Sequence, residues 1–175
     1  MNYSEIKNCD IANGPGVRVT LFVSGCTHHC MGCFNEMTWD FGYGMPFDAV
    51  AQERLLSLLQ PDYIAGLTLL GGEPLEYVNW RGLLPFLKKV KAHCPKKDIW
   101  CYSGYRFEED ILGRFCGQWE EMREFLACID VLVDGEFVLE QKDISLQFRG
   151  SANQRIILVQ ESLARGETVL WQGIR

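Results

Sequence analysis

The stretch "GLTLLGGEP" runs from Gly66 to Pro74. It is a short, nearly continuous apolar run closed by two glycines and a proline. Such a run reads as a strand buried on both faces, and strands of that kind belong to parallel sheets. Upstream, "GVRVTLFVSG" (Gly16 to Gly25) is a β-branched, apolar run bounded by glycines, a second strand. Between the two, "FDAVAQERLLSLL" carries Val50, Leu55, Leu56, Leu58 and Leu59 at helical spacing. Asp48 is its expected N-cap and Pro61 its stop.

The alternation continues downstream. "LLPFLKKVKAHC" (Leu83 to Cys94) reads as a helix with a stripe of Leu84, Leu87, Val90 and Cys94, and with Pro85 in the first turn. Strands are expected over Asp98 to Gly104, Asp130 to Gly135 and Gln154 to Val159. A helix with Trp119, Met122, Leu126 and Ile129 on one face lies before the second of these. Alternating strands and helices predict an α/β fold with a mostly parallel sheet of five to six strands and right-handed crossovers. About five βα units are too few for a closed eight-unit barrel, so a partial, open (βα) barrel is expected. One domain, 1–175, accommodates the whole length.

Each expected strand ends in a small or polar turn: "SGC", "GGEP", "SGY" and "DG". In parallel α/β folds these ends share one rim, where ligands bind. The turn "SGC" opens the densest chemistry in the chain, "SGCTHHCMGCFN" (Ser24 to Asn35), with Cys26, Cys30 and Cys33 spaced Cys-x3-Cys-x2-Cys.

Composition narrows the setting. The net charge of −6 argues against nucleic acid as a partner. The only cationic runs, Lys88 to Lys91 and Pro95 to Lys97, flank a helix end where cations are solvated and favourable. No apolar run reaches the ~20 residues of a membrane helix, and the first ten residues lack the character of a signal peptide. A cytoplasmic location and reduced thiols are expected. Of the eight cysteines, Cys9, Cys94, Cys101, Cys116 and Cys128 are scattered and read as inert small hydrophobes.

Three clustered thiolates pose the question of a fourth ligand. A structural zinc site closes with four, and His28 or His29 could complete a Cys3His set. An iron–sulfur cubane is normally held by four thiolates, so three leave one iron open. An open position marks a catalytic rather than a structural centre.

The spacing resembles the radical S-adenosylmethionine enzymes, whose loop is Cys-x3-Cys-x-aromatic-Cys; here Gly32 precedes the last cysteine and Phe34 follows it. "NGPGVRVTLFVSGC", "GCFN", "GGEPL", "WCYSGY", "DVLVDGEF" and "RGSANQ", in order from Asn13 to Gln154, are similar to the proteins that activate anaerobic ribonucleoside-triphosphate reductase. In that branch, glycine before the cysteine and an aromatic after it are usual.

The resemblance implies a [4Fe–4S] cluster on Cys26, Cys30 and Cys33, with S-adenosylmethionine on the open iron. It implies that Gly71, Gly72 and Glu73 bind the methionyl amine. Gly32 and Phe34 would meet adenine, and Ser103 the ribose or the methionyl carboxylate. Ser103 reads equally as a turn hydroxyl, and Asp134 and Glu136 read as turn residues. His28 and His29 are loop residues that tune the cluster or face solvent.

The implied reaction is reductive cleavage of the sulfonium and removal of a hydrogen atom from a glycine Cα of the reductase's large subunit, leaving a glycyl radical. A low-potential donor of the flavodoxin kind would supply the electron. A homodimer, or a heterotetramer with the reductase, is compatible with it. Arg149, Gly150, Ser151, Asn153 and Gln154 are expected near the opening through which a protein loop enters. Two readings compete: an activase of the pyruvate formate-lyase type, and a Cys3His zinc-binding interaction module. The tail from Glu161 to Arg175 matches no motif.

Overall fold

The computed structural model describes residues 1–173; the last two residues of the tail, Ile174 and Arg175, lie outside that range. In chain order the strands are β1 (Asn2–Asp10), β2 (Val17–Val23) and β3 (Met45–Pro46). Then α1 (Ala49–Leu58) precedes β4 (Ile64–Gly71), and α2 (Tyr77–His93) precedes β5 (Asp98–Tyr102). A π-helical stretch (Phe107–Phe115) runs into α3 (Cys116–Gln118) and α4 (Glu121–Cys128). The chain continues with β6 (Val131–Asp134), β7 (Arg155–Leu158) and α5 (Val159–Arg165).

One sheet of seven strands results, in the order β3-β1-β2-β4-β5-β6-β7. Strands β2, β4, β5 and β6 are parallel, as the sequence predicts. The expected count of five to six is corrected to seven, and the sheet is mixed. Strand β1 is antiparallel to β2 and β3, and β7 is antiparallel to β6. Strand β1 hides from pattern reading for a physical reason. Its register slips between Tyr3 and Glu5 and again between Lys7 and Asp10. Each slip inserts a bulge residue, so the buried positions become Tyr3, Ile6 and Asp10, a spacing that imitates a helix.

The helices follow their sequence signals with two corrections. The Asp48 side chain accepts from the Ala51 N–H, the expected cap. Val50 is exposed rather than part of the core stripe. Helix α2 starts six residues earlier than expected, which puts Pro85 inside it. Its ring removes one bond, to the Arg81 carbonyl, at a residue whose side chain is exposed. The π-helical stretch is a further element beyond the sequence reading, with Ile111 N–H donating five residues back to the Arg106 carbonyl, 3.1 Å.

Helices α1, α2 and α4 cover one face of the sheet. Leu55, Trp80, Phe86, Leu87 and Phe125 pack there against Leu21, Leu67, Leu69 and Ile99. Among the described residues, no helix layer covers the opposite face. Trp100, Val131, Val133 and Ile156 form a smaller cluster there with Phe148 and Trp171, which come from the 137–153 connection and the tail. Strand β4 is buried on both faces as read, yet its second face is polar. Arg18 on β2 is fully buried there. It donates to Thr68 Oγ1 (2.8 Å), the Leu67 carbonyl (3.0 Å), the Pro15 carbonyl (3.2 Å) and Asp98 Oδ1 (2.5 Å). Cys94, Cys101, Cys116 and Cys128 are buried; Cys9 is exposed, which corrects its expected apolar setting. All eight thiols are unpaired.

The second bulge leaves Asp10 buried beside β2. Thr20 Oγ1 donates to it at 2.7 Å, Asn13 Nδ2 at 2.5 Å, the Ala12 N–H at 3.1 Å and Lys7 Nζ at 3.1 Å. Burial alone would raise its pKa, but these donors together lower it from 3.8 to about 2. A carboxylate held below its unfolded value stabilises the fold above that value, and the contribution is lost as pH falls through about 2. Asp10→Asn is therefore expected to cost about 2 kcal/mol at pH 7. In urea titrations the gap between variant and wild type should close between roughly pH 4 and pH 2. A gap independent of pH would refute the assignment.

Candidate functional site

The ends of the parallel strands do share a rim. There the loop after β2, the turns after β4, β5 and β6, and the 137–153 connection enclose a cavity of about 410 Å³. The expected cluster and cosubstrate residues all line it: Cys26, Cys30 and Cys33, Gly32 and Phe34, Gly71, Gly72 and Glu73, and Ser103.

The three thiols sit in a loop with N–H groups turned onto sulfur. Asn35 N–H donates to Cys33 Sγ at 3.4 Å. Burial pushes the Cys26 thiol up to about 12, against the opposing pull of the His28 and His29 N–H groups. Cys30 is also raised by burial, with the Phe137 N–H pulling the other way. A metal centre must displace those protons, so its affinity rises with pH. Such N–H···S bonds are among the features that set the potential of protein-bound iron–sulfur clusters.

The "GGE" turn meets the cysteine loop backbone to backbone. Gly72 N–H donates to the Val23 carbonyl (2.7 Å) and Glu73 N–H to the Gly25 carbonyl (2.8 Å). Gly71 has φ +115°, a conformation side chains disfavour. A Cβ on Gly72 would lie 2.5 Å from the Gly25 oxygen and 2.8 Å from that of Thr38. Both glycines are thus required by close approach. Beneath the turn, the buried Asn79 amide donates to the carbonyls of Ser24 (3.0 Å), Gly25 (3.4 Å) and Glu73 (2.9 Å).

The Glu73 carboxylate is buried and committed to the protein. It accepts from Leu75 N–H (2.7 Å) and Gly104 N–H (2.7 Å), and its Oε2 is 3.1 Å from His28 Nε2. The His28 Nδ1 lies 2.8 Å from Glu136 Oε1. Burial alone would lower the His28 pKa, but Glu73 and Glu136 raise it to about 9. His29 stacks on Trp39, with ring centroids 4.6 Å apart. Both ring nitrogens of His28 face carboxylates rather than thiols. Among the described residues, no three His, Cys, Asp or Glu side chains converge as ligands of one ion.

Ser103 Oγ accepts from the Tyr105 N–H at 3.0 Å, the turn role weighed for it. Asp134 caps Phe107 N–H (2.9 Å) and pairs with Arg155. Arg149, Gly150 and Gln154 line the cavity. The Ser151 hydroxyl accepts from the Val138 N–H, and Asn153 donates to the Glu136 carbonyl. Pattern reading misses the clamp made by His28 and the brace made by Asn79. A lone polar residue beside a helix start or between cysteines carries no periodic signal. Their one legible trace is adjacency to the motifs.

Three thiols in one loop thus lie on the rim where the strand ends of an open α/β sheet meet. Residues 12–157 match the family described as "4Fe-4S single cluster domain". A protein of Haemophilus influenzae is 47% identical over 158 residues, 89% of this chain and 97% of that protein. One of Escherichia coli K12 is 41% identical over 156 residues, 88% and 96%. One of bacteriophage T4 is 42% identical over 158, 89% and 93%. All three are named anaerobic ribonucleoside-triphosphate reductase-activating protein, and this chain belongs to that family.

Proposed function

We propose that this chain activates an anaerobic ribonucleoside-triphosphate reductase, using a [4Fe–4S] cluster on Cys26, Cys30 and Cys33 and S-adenosylmethionine as cosubstrate. The observation that carries the reading is the shared cavity: three thiols and the turns after β4, β5 and β6 line one space. When bound, the two groups supply reductive sulfonium cleavage and abstraction of a hydrogen atom from a glycine Cα.

The chain's own residues fit that chemistry. The thiol donors and the N–H groups aimed at them suit a cluster. The backbone of Gly71 to Glu73 would hold the methionyl amine through carbonyls, because the Glu73 side chain is already committed. Ser103 would face the ribose or carboxylate while bracing its own turn. Gly32 and the exposed Phe34 would meet adenine. The apolar wall of Leu70, Phe137 and Phe148 would exclude water. The open sheet would serve as a partial barrel, the mouth of the rim cavity admitting a loop of the reductase beside Arg149 and Gln154. A low-potential donor of the flavodoxin kind would deliver the electron.

Eight unpaired thiols suit a reducing, cytoplasmic setting. Among the described residues, no helix is long and apolar enough to cross a membrane.

The test mixes anaerobically reconstituted protein, a reductant, S-adenosylmethionine and the reductase. A glycyl-radical doublet in electron spin resonance is the expected result. Methionine release without a protein radical would keep the cosubstrate and discard the partner. One zinc and no iron after reconstitution would discard both.

A further inference from the structure

We infer that His28 is a positioning residue, a clamp that fixes the cysteine loop against the strand-end turns so that one S-adenosylmethionine can meet both. The inference rests on the proposed cosubstrate and extends it to a residue outside the metal triad. His28 lies between Cys26 and Cys30, yet its ring leaves the loop. It bridges Glu73, in the turn after β4, and Glu136, after β6. The same Glu73 oxygen accepts from Gly104 N–H, in the turn after β5. One imidazole thus ties the cysteine loop to three strand ends.

The ring is closely packed. It lies 4.5 Å from the Tyr105 ring, and its side chain is 8% exposed. A Cβ on Gly104 would lie 2.6 Å from His28 Nε2, so the turn after β5 is shaped around the ring. Thr27 beside it is tethered to Glu76 through both its N–H (2.8 Å) and its hydroxyl (2.5 Å). The backbone N–H groups of Gly72 and Glu73 and the side-chain amide of Asn79 hold the root of the loop, from Val23 to Gly25. His28 is the matching tie farther along it.

A ligand that must reach both a cluster on the loop and carbonyls on the turns depends on their separation. A misplacement of about 1 Å costs on the order of a hundredfold in reactivity. The division of labour is then clear: the thiols hold the cluster, and His28 sets the distance from the loop to the turns.

The test compares wild type, His28→Ala, His28→Gln and Glu136→Gln, each reconstituted with iron and sulfide. Three readouts are used: iron content, S-adenosylmethionine affinity, and the change that S-adenosylmethionine causes in the reduced cluster's electron spin resonance spectrum. His28→Ala should keep its iron, bind S-adenosylmethionine about tenfold more weakly and lose most of the spectral change. His28→Gln, which keeps an N–H₂ donor, should recover most of the affinity. Glu136→Gln changes a half-exposed partner and should give a smaller loss in the same direction.

In the protein before reconstitution, the Gly104 amide should exchange about tenfold faster in His28→Ala. Wild-type affinity and spectral response in His28→Ala would overturn the inference. So would loss of its iron, because His28 would then be part of what holds the cluster. If the wild type itself gives no response to S-adenosylmethionine, the cosubstrate reading fails and this inference falls with it.

Discussion

In a Cys30→Ala variant, iron after anaerobic reconstitution is expected to fall from about four atoms per chain to background. Radical formation on the reductase should disappear with it. The fold should persist. Cys30 is only half-buried, lies in a loop outside both apolar clusters, and takes part in no ladder. Its removal should change the stability of the iron-free protein by less than about 0.5 kcal/mol. The informative control is Cys101→Ala. Cys101 is fully buried on β5, where burial pushes its thiol well above the ordinary range. That variant should lose about 1 kcal/mol of stability through its cavity and keep its iron. Iron retained in Cys30→Ala, or lost in Cys101→Ala, would contradict the ligand assignment.

Arg18→Ala is the second large effect, and here stability is what changes. The guanidinium is fully buried, and its fork reaches five acceptor atoms on four residues: the Pro15 and Leu67 carbonyls, Thr68 Oγ1, and the carbonyl and Oδ1 of Asp98. It also lies over the Trp100 ring at 5.5 Å. Truncation leaves carbonyls without their partner and a void beside Trp100. The expected cost is about 3 kcal/mol, a fall of roughly 10 °C in the unfolding midpoint. Arg18→Lys should not restore it, because a single ammonium cannot span acceptors arranged for a planar fork. The effect should also reach the cavity. Thr68, which bonds Arg18, donates to the Asn13 carbonyl, and Asn13 lines the cavity wall. A loss under about 0.5 kcal/mol in urea denaturation would show that the buried cation merely breaks even with its desolvation.

Legibility followed the kind of signal each element carries. Helix α1 could be read because an N-cap, an apolar stripe and a proline stop are all local. The four parallel strands could be read because each is a short, mostly apolar run bounded by turn residues. Strand β1 could not, since its two bulges replaced the period of two by spacings of three and four. Helix α2 was read short because Pro85 suggests a beginning, while its actual start at Tyr77 has no capping side chain. The sense of the second sheet face was also hidden. A buried Arg18 looks like an ordinary surface charge until Thr68 and Asp98, fifty and eighty residues on, are brought to it.

The sequence alone determined the chemistry at the cysteine loop: three thiols at fixed spacing, and glycines after a buried strand. It also determined that the strand ends would share a rim, because parallel strands must point the same way. Only the tertiary structure decided how the loop and the rim are held together. That depends on Asn79 under the turn and on His28, caught between Glu73 and Glu136. Spacing along a chain fixes what neighbours in sequence can do together. Hydrogen bonds across 45 and 108 residues exist only once the sheet has set the distance between their partners.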